Sequence, residues 1–120
     1  MFNSGANNGN ENTSAVKAFW TDLYAAGADL ILNGHEHNYQ RYSQMTPDGV
    51  IASSGVREII SGGGGKSLYG LLTTKDSGYQ FGTQSFGVLK LDLSTSSYSW
   101  RFINLNGTVV DSGGPVSCHT

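Results

Sequence analysis

Apolar residues follow a helical period near the start of the chain and strand-like patterns over most of the rest. A helix is predicted from Thr13 or Ser14 to about Ala26, and Gly27 suits the left-handed residue that often ends a helix. The apolar residues of this helix fall at i, i+3, i+4, i+7 and i+8 and share one face: Val16, Phe19, Trp20, Leu23 and Tyr24. We expect Trp20 and Tyr24 to pack against a sheet.

The remainder of the chain predicts short strands joined by turns. The apolar run 29–33 is typical of a buried strand, and further strands are predicted at 39–45, 56–61, 86–93, 98–104 and 108–111. Thr46-Pro47-Asp48-Gly49 indicates a turn, and Asn106-Gly107 indicates a tight hairpin. The last three strands should form an antiparallel meander with one buried face. Irregular structure is expected in a flexible arm at 1–13, a Gly-rich loop at 62–81 and a tail at 112–120.

The helix and the strand 29–33 form an αβ unit, and such a unit usually needs parallel neighbouring strands. No such neighbour is recognisable downstream in the sequence. We therefore expect the sheet to continue in residues that lie outside this chain. The fold class predicted is α/β, or α+β for the isolated segment, with one helix followed by a mostly antiparallel sheet.

Composition narrows the classes of function. Charged residues make up 13% of the chain, against roughly 25% in ordinary soluble domains, and 17 glycines favour a loop-rich structure. A net charge of −2 provides no basic field, so we expect no nucleic-acid partner. No apolar run approaches the ~20 residues that span a membrane, and no signal-peptide pattern opens the chain. The richness in Gly, Ser, Thr and Asn favours an exported protein, extracellular or periplasmic.

The stretch Gly34-His35-Glu36-His37-Asn38-Tyr39-Gln40-Arg41 carries the main chemical signal. Neutral imidazole is a common ligand of zinc and iron, and residues i and i+2 of an extended segment share a face. His35 and His37 could therefore hold metal from one strand end, with Gly34 leaving room for the ion. The alternative is two solvent-exposed loop histidines.

Gly-His-x-His-x-Tyr-x-Arg resembles the last metal-binding motif of the calcineurin-like metallophosphoesterases, in the form found in purple acid phosphatases. The surrounding segments also look like that family: the preceding LYAAGADLILNGHEHNYQRY, and the later GVREIISGGGG and FGVLKLDLSTSSYSWRFINLNGTVVDSG. The resemblance covers nearly the whole chain. It implies that residues 1–120 are the C-terminal part of a single metallophosphoesterase domain, a partial β-sandwich.

The family's other ligand motifs are absent from this sequence, namely Asp-x-His, Gly-Asp-x-x-Asp and Gly-Asn-His. The resemblance therefore implies a segment of a phosphatase that acts on phosphorylated small molecules, with His35 and His37 as metal ligands. Two metal ions (Fe, Zn or Mn) would serve the intact enzyme, and the site in this chain would be incomplete. No residue here is assigned a catalytic role, and the segment alone is expected to be inactive. The alternative is a non-catalytic β-rich binding or interaction module derived from such an enzyme.

Supporting roles are predicted for several neighbours of the histidines. Asn38 or a backbone carbonyl could accept a hydrogen bond from an imidazole and fix its tautomer. Arg41 could brace the loop or be a plain surface arginine, and Tyr39 is a further candidate support. Glu36 should point away from the site or act as an acceptor behind it.

The Gly-rich run that ends in Gly65-Lys66-Ser67 partly matches a phosphate-binding P-loop. Ile60 occupies the position of the first required glycine, however, and the segment that follows is too short and too interrupted by glycine for a good helix. We expect instead a loop near the rim of the active site, where Lys66 either contacts a substrate phosphate or stays solvated. For the isolated segment we also predict self-association, through an unpaired sheet edge and exposed apolar surface.

Overall fold

The computed structural model describes residues 1–6 and 14–119, which form one helix and seven strands in two mostly antiparallel sheets. A single 3₁₀ turn, Ser14–Val16, leads into the helix α1, Lys17–Ala25. The strands are β1 Leu30–Asn33, β2 Tyr39–Met45, β3 Val56–Ser61, β4 Tyr79–Thr83, β5 Gly87–Leu93, β6 Ser97–Asn104 and β7 Val109–Ser117. The fold class predicted from the sequence is confirmed.

The first sheet has the strand order β1-β3-β2-β4, and the second is the meander β5-β6-β7. The two sheets pack through aromatic and aliphatic side chains of β2, β3 and β6: Tyr39, Ile59, Tyr98, Trp100 and Phe102. Tyr39 stacks on Phe102 with ring centroids 4.2 Å apart. A second apolar cluster covers the opposite face of the first sheet: Phe2, Trp20, Tyr42, Met45 and Ile60. Because β2 contributes to both clusters, it is buried on both faces and holds the histidine loop at its start.

β1 pairs in parallel with β3, in the register Leu30 with Arg57 through Asn33 with Ile60. A parallel neighbour of β1 therefore does lie downstream, although none was recognisable in the sequence. β2, which lies between β1 and β3 in the sequence, pairs antiparallel with β3. The parallel pair therefore joins strands that are not consecutive in the chain, and it is not apparent when only consecutive strands are considered. β1 lies at the edge of this sheet, and its second side pairs with no strand of the described ranges.

Three regions predicted to be irregular are more ordered than expected. In the arm, Phe2, Ser4 and Gly5 are buried, while residues 7–13 lie outside the described part of the chain. The Gly-rich loop runs into β4 at Tyr79, and β4 pairs with β2. The tail extends β7 to Ser117. His119 then donates its backbone N–H to Asp29 at 2.7 Å.

The helix ends as predicted, with Gly27 at φ 76°. Its apolar face is only partly covered, because Trp20 is buried while Phe19 is 69% exposed. Leu23 and Val16 are also exposed. No helix in residues 1–6 and 14–119 is long and apolar enough to cross a membrane.

Candidate metal centre

The histidine motif occupies a tight loop between β1 and β2. The Glu36 N–H donates to the Gly34 carbonyl at 2.8 Å, and the Asn38 N–H donates to the Glu36 carbonyl at 2.8 Å. These i to i+2 bonds are γ-turns, with His35 and His37 at their centres. His35, rather than Gly34, takes a positive φ, of 68°. The two histidines are thus placed by consecutive turns rather than by one extended segment.

The segment 67–69 makes three contacts with His37. Its Nδ1 lies 2.8 Å from the Ser67 carbonyl oxygen, and its ring stacks on Tyr69 with centroids 4.0 Å apart and planes inclined by 17°. The Tyr69 N–H donates to the His37 carbonyl at 2.9 Å. Since a carbonyl oxygen can only accept, Nδ1 must carry the hydrogen, and in the neutral ring Nε2 keeps its lone pair. A backbone carbonyl, rather than Asn38, therefore sets this tautomer.

His35 is exposed and lines a cleft of about 500 Å³ between α1, β1 and the N-terminal arm. Apolar side chains of α1, including Phe19 and Trp20, form another part of the lining. A Cβ built on Gly34 would meet nothing within 4 Å, so there is open space beside the loop. An ion held by His35 would therefore be reached from this cleft.

Glu36, between the two histidines, turns back into the protein and is 1% exposed. Its Oε2 accepts a hydrogen bond from Asn3 Nδ2 at 3.2 Å, while its Oε1 is buried without a partner in the described residues. A Cβ on Gly5 would lie 1.8 Å from that Oε1, so the arm packs directly on the carboxylate. Within residues 1–6 and 14–119, no group of three or more His, Cys, Asp and Glu side chains could hold a metal ion. His35 and His37 are the only two ligands that the sequence predicts, and metal binding by them stays a prediction.

The start of the Gly-rich loop closes over the back of the histidine loop. A Cβ on Gly62 would lie 1.9 Å from the Glu36 carbonyl oxygen, and the Gly62 N–H donates to the Asn38 carbonyl at 3.0 Å. A side chain at this position would push the histidine loop aside. Gly64 has open space around it, and Lys66 is exposed. No helix follows this run within the described residues, so the P-loop alternative lacks the helix it requires.

A buried amide, Gln40, ties the arm and the histidine loop to β2. Its Oε1 accepts from the Ser4 N–H and the Tyr42 hydroxyl, both at 2.8 Å. Its Nε2 donates to the side-chain oxygens of Asn3 and Asn38, both at 2.9 Å. The oxygen and the nitrogen of this buried amide are thus both hydrogen-bonded, which is the arrangement that makes a buried polar group tolerable. The sequence carried no signal of this network.

Tyr39 and Arg41 point to the other side of β2 and reach the second sheet. Arg41 binds Asp111 with two bonds, Nε to Oδ2 at 2.8 Å and Nη2 to Oδ1 at 3.0 Å. The Tyr39 hydroxyl donates to Asp111 Oδ2 at 2.6 Å, and Trp100 Nε1 donates to the same oxygen at 3.2 Å. Arg41 is therefore neither a brace of the histidine loop nor a surface residue. It joins the two sheets beneath the site.

These contacts shift the ionisation of both acidic groups. Burial raises the pKa of Tyr39, and its hydrogen bond to Asp111 raises it further. Burial alone would raise the pKa of Asp111 too, but hydrogen bonds from Arg41 and Tyr39 outweigh burial and lower it. Asp111 is thus a stable carboxylate at neutral pH. Seventy residues separate it from the motif, so local spacing could not have found it.

The chain was also compared with known proteins. No protein-family model matches it, and no curated protein is significantly similar. Among solved structures, GAP50, described as the anchor in the inner membrane complex of Plasmodium, superposes with a TM-score of 0.77 at 20% identity. That match covers all of this chain and 34% of the other.

The purple acid phosphatase PPD1 from seeds of yellow lupin, Lupinus luteus, superposes with a TM-score of 0.76, also at 20% identity. The match covers all of this chain and 26% of the lupin chain. At this identity the likeness is one of fold alone. The chain thus spans between a quarter and about a third of the length of these two structures, and its fold is that of one part of a purple acid phosphatase.

Proposed function

We propose that this chain is the C-terminal segment of a binuclear metal-dependent phosphoester hydrolase and supplies two of its metal ligands, His35 and His37. The observation that carries the proposal is the state of His37. Its Nδ1 is engaged by the Ser67 carbonyl, which leaves Nε2 with a free lone pair for a metal ion. The fold that this chain shares with a purple acid phosphatase supports the interpretation of His35 and His37 as metal ligands.

The residues present fit one part of a metal site. His37 has an oriented donor atom, and His35 is exposed beside open space. When bound, a pair of metal ions (Fe, Zn or Mn) would lower the pKa of a coordinated water and offset the charge of a phosphoryl group. The role of this chain's histidines is to fix the position of the ions rather than to transfer protons. The remaining ligands must come from outside residues 1–6 and 14–119.

The cleft beside α1 is where such ligands would enter. It is lined by His35 and by apolar side chains of α1, and the indole Nε1 of Trp20 there is buried without a hydrogen-bond partner among residues 1–6 and 14–119. Exposed Phe19 adjoins this region, as does the edge of β1 that pairs with no strand in the described part of the chain. Such a surface suits coverage by further polypeptide, and in its absence it favours self-association. The proposed substrate class is phosphate monoesters of small molecules, and the proposed location is extracellular or periplasmic.

A second candidate function is a non-catalytic interaction module of the same fold. GAP50 is described as an anchor in a membrane complex, and it superposes on this chain as well as the lupin enzyme does. In this case the exposed apolar residues Val16, Phe19 and Leu23 would contact a protein partner, and the histidines would have no metal to hold.

Zinc titration of the ¹⁵N-labelled chain tests the metal assignment. We expect Zn²⁺ to shift the ring signals of His35 and His37, and the His37→Ala change to abolish the response at His35 as well. His119→Ala is the matched control, since His119 is the third histidine and packs against Asp29. A zinc response confined to His119, or none at all, would contradict the assignment.

Phosphatase assays with Zn, Mn or Fe separate the two functions. The chain alone is expected to be inactive on phosphate monoesters. Activity that appears only when the N-terminal part of a metallophosphoesterase is supplied, and that disappears in His35→Ala and His37→Ala, supports a hydrolase segment. Absence of complemented activity, together with absence of zinc binding at His35 and His37, favours the interaction module.

A further inference from the structure

We infer that Ser67 and Tyr69 form a clamp that fixes the tautomer and the ring plane of His37, and that this positioning is one role of the Gly-rich segment. The inference deepens the proposed function, because it names the residues that prepare His37 for a metal ion. The clamp itself, however, is a property of the metal-free chain and can be measured without any metal.

The clamp engages both the ring and the backbone of His37. The Ser67 carbonyl accepts the Nδ1 hydrogen at 2.8 Å, and the Tyr69 ring lies almost parallel beneath the imidazole. The Tyr69 N–H closes the arrangement on the His37 carbonyl at 2.9 Å. Rotation of the ring about its χ angles would lose the hydrogen bond and the stacking together. The geometry therefore restrains the ring plane as well as the proton.

The tautomer selected is the one that water disfavours. A neutral imidazole in water carries its hydrogen mainly on Nε2, which leaves Nδ1 as the available ligand atom. The Ser67 carbonyl reverses this preference and turns Nε2, the atom farther from the backbone, into the donor. His35 has no comparable acceptor among its hydrogen bonds in the described residues, so it should keep the ordinary preference.

The segment can restrain the ring because further contacts anchor it at both of its ends. At one end, Gly62 packs on the Glu36 carbonyl and bonds to Asn38. At the other end, the Asn38 side chain donates to the Gly70 carbonyl at 3.2 Å, and the arm bonds to the same carbonyl through the Ala6 N–H at 2.8 Å. The segment is thus tied at both ends to the residues that flank His37 and, at Gly70, also to the arm.

This assignment gives the Gly-rich segment a different role from phosphate binding. Lys66, the residue expected at the substrate rim, is exposed, whereas its neighbour Ser67 contacts His37 through the backbone. Changes of the Lys66 side chain should therefore leave His37 unaffected.

Long-range ¹H–¹⁵N correlation of the histidine rings tests the clamp at roughly pH 8, where imidazoles are ordinarily neutral. In the wild-type chain we expect His37 to show a protonated Nδ1 and an unprotonated Nε2, and His35 to show mainly the reverse. A His37 ring that is protonated mainly on Nε2, or that averages between the tautomers as His35 does, overturns the inference.

Three variants distinguish a local effect on the His37 ring from a general effect on folding. Tyr69→Ala should bring the His37 tautomers towards those of His35, whereas Tyr69→Phe keeps the ring and should retain the wild-type pattern. Lys66→Ala should also retain it. If Tyr69→Phe or Lys66→Ala loses the pattern as fully as Tyr69→Ala does, the stacking is not the cause and the inference fails.

Zinc distinguishes this inference from the proposed function. Where wild type binds Zn²⁺ at His37, Tyr69→Ala should weaken that binding about 10-fold, the usual effect of losing an outer contact to a ligand. Failure of wild type to bind zinc, with the His37 tautomer as expected, would count against the metal assignment and leave the clamp intact.

Discussion

The contact between the two sheets allows a quantitative prediction at Asp111. The Asp111→Ala change removes the acceptor of two bonds from Arg41 and of one each from Tyr39 and Trp100. The side chains of Arg41 and Asp111 are only 15% and 7% exposed, so water cannot replace the lost carboxylate easily. The variant therefore keeps a largely buried guanidinium without its counter-ion.

Removing one partner of a buried ion pair typically costs 3–5 kcal/mol. Arg41 keeps a hydrogen bond to Gln80 and lies over the Trp100 ring at 5.2 Å, which favours the lower end of that range. We expect the free energy of unfolding to fall by about 3 kcal/mol. Since single domains are stable by only about 5–15 kcal/mol, this is a large fraction of the total.

Urea unfolding followed by far-UV circular dichroism measures this change, provided that the slope of the transition is unaltered. Asp92→Ala is the matched control, because Asp92 pairs with Lys90 and Arg101 on the exposed face of the same meander. The control should leave the midpoint where it is. An Asp111→Ala variant that loses less than about 1 kcal/mol would refute a network that joins the sheets.

The same carboxylate predicts a pH dependence with a definite sign. The pKa of Asp111 is lowered in the folded state, so its stabilisation is complete above the ordinary value of about 3.9. It is lost as the pH falls through the folded pKa. Asp111→Ala should therefore remove part of the acid sensitivity of unfolding, and an unchanged acid profile would contradict the shift.

Three further predictions concern the histidine loop and its surroundings. Because His35 sits at φ 68°, His35→Gly should be more stable than His35→Ala by about 1 kcal/mol, as measured by urea unfolding; equal stability would argue against the γ-turn. Gly62→Ala should destabilise the fold by about 1–3 kcal/mol and disturb the ring signals of His37, whereas Gly64→Ala should do neither. Burial raises the pKa of Glu58 in the folded state, so ionisation of this carboxyl lowers the free energy of unfolding as the pH rises above about 4.3. Glu58→Gln should therefore make the free energy of unfolding, measured by urea unfolding, less dependent on pH in this range.

The sequence alone determined most of the local structure. Gly27 ends the helix as predicted, Gly49 takes the positive φ of the predicted turn, and Asn106-Gly107 joins β6 to β7. The motif at 34–41 follows its predicted strand. These features depend on side-chain size, allowed φ angles and alternation over a few residues, all of which are written in adjacent positions.

Features that join distant parts of the chain were not predictable in this way. The parallel pairing of β1 with β3, the strand β4 and the bound arm all depend on partners tens of residues away. The exposure of Phe19 also differed from expectation. Helical periodicity identifies the apolar face of a helix, but it does not show whether other residues cover that face.

The candidate site likewise combines features that the sequence predicts with features that only the tertiary structure determines. The sequence placed His35 and His37 at the end of a strand and named imidazole as the ligand type. Only the folded chain decided which nitrogen of His37 is free, because the deciding atom is a backbone carbonyl at Ser67 that has no side-chain signature. Tautomer and ring plane are set by acceptors in three dimensions, and those acceptors come from a segment thirty residues further along the chain.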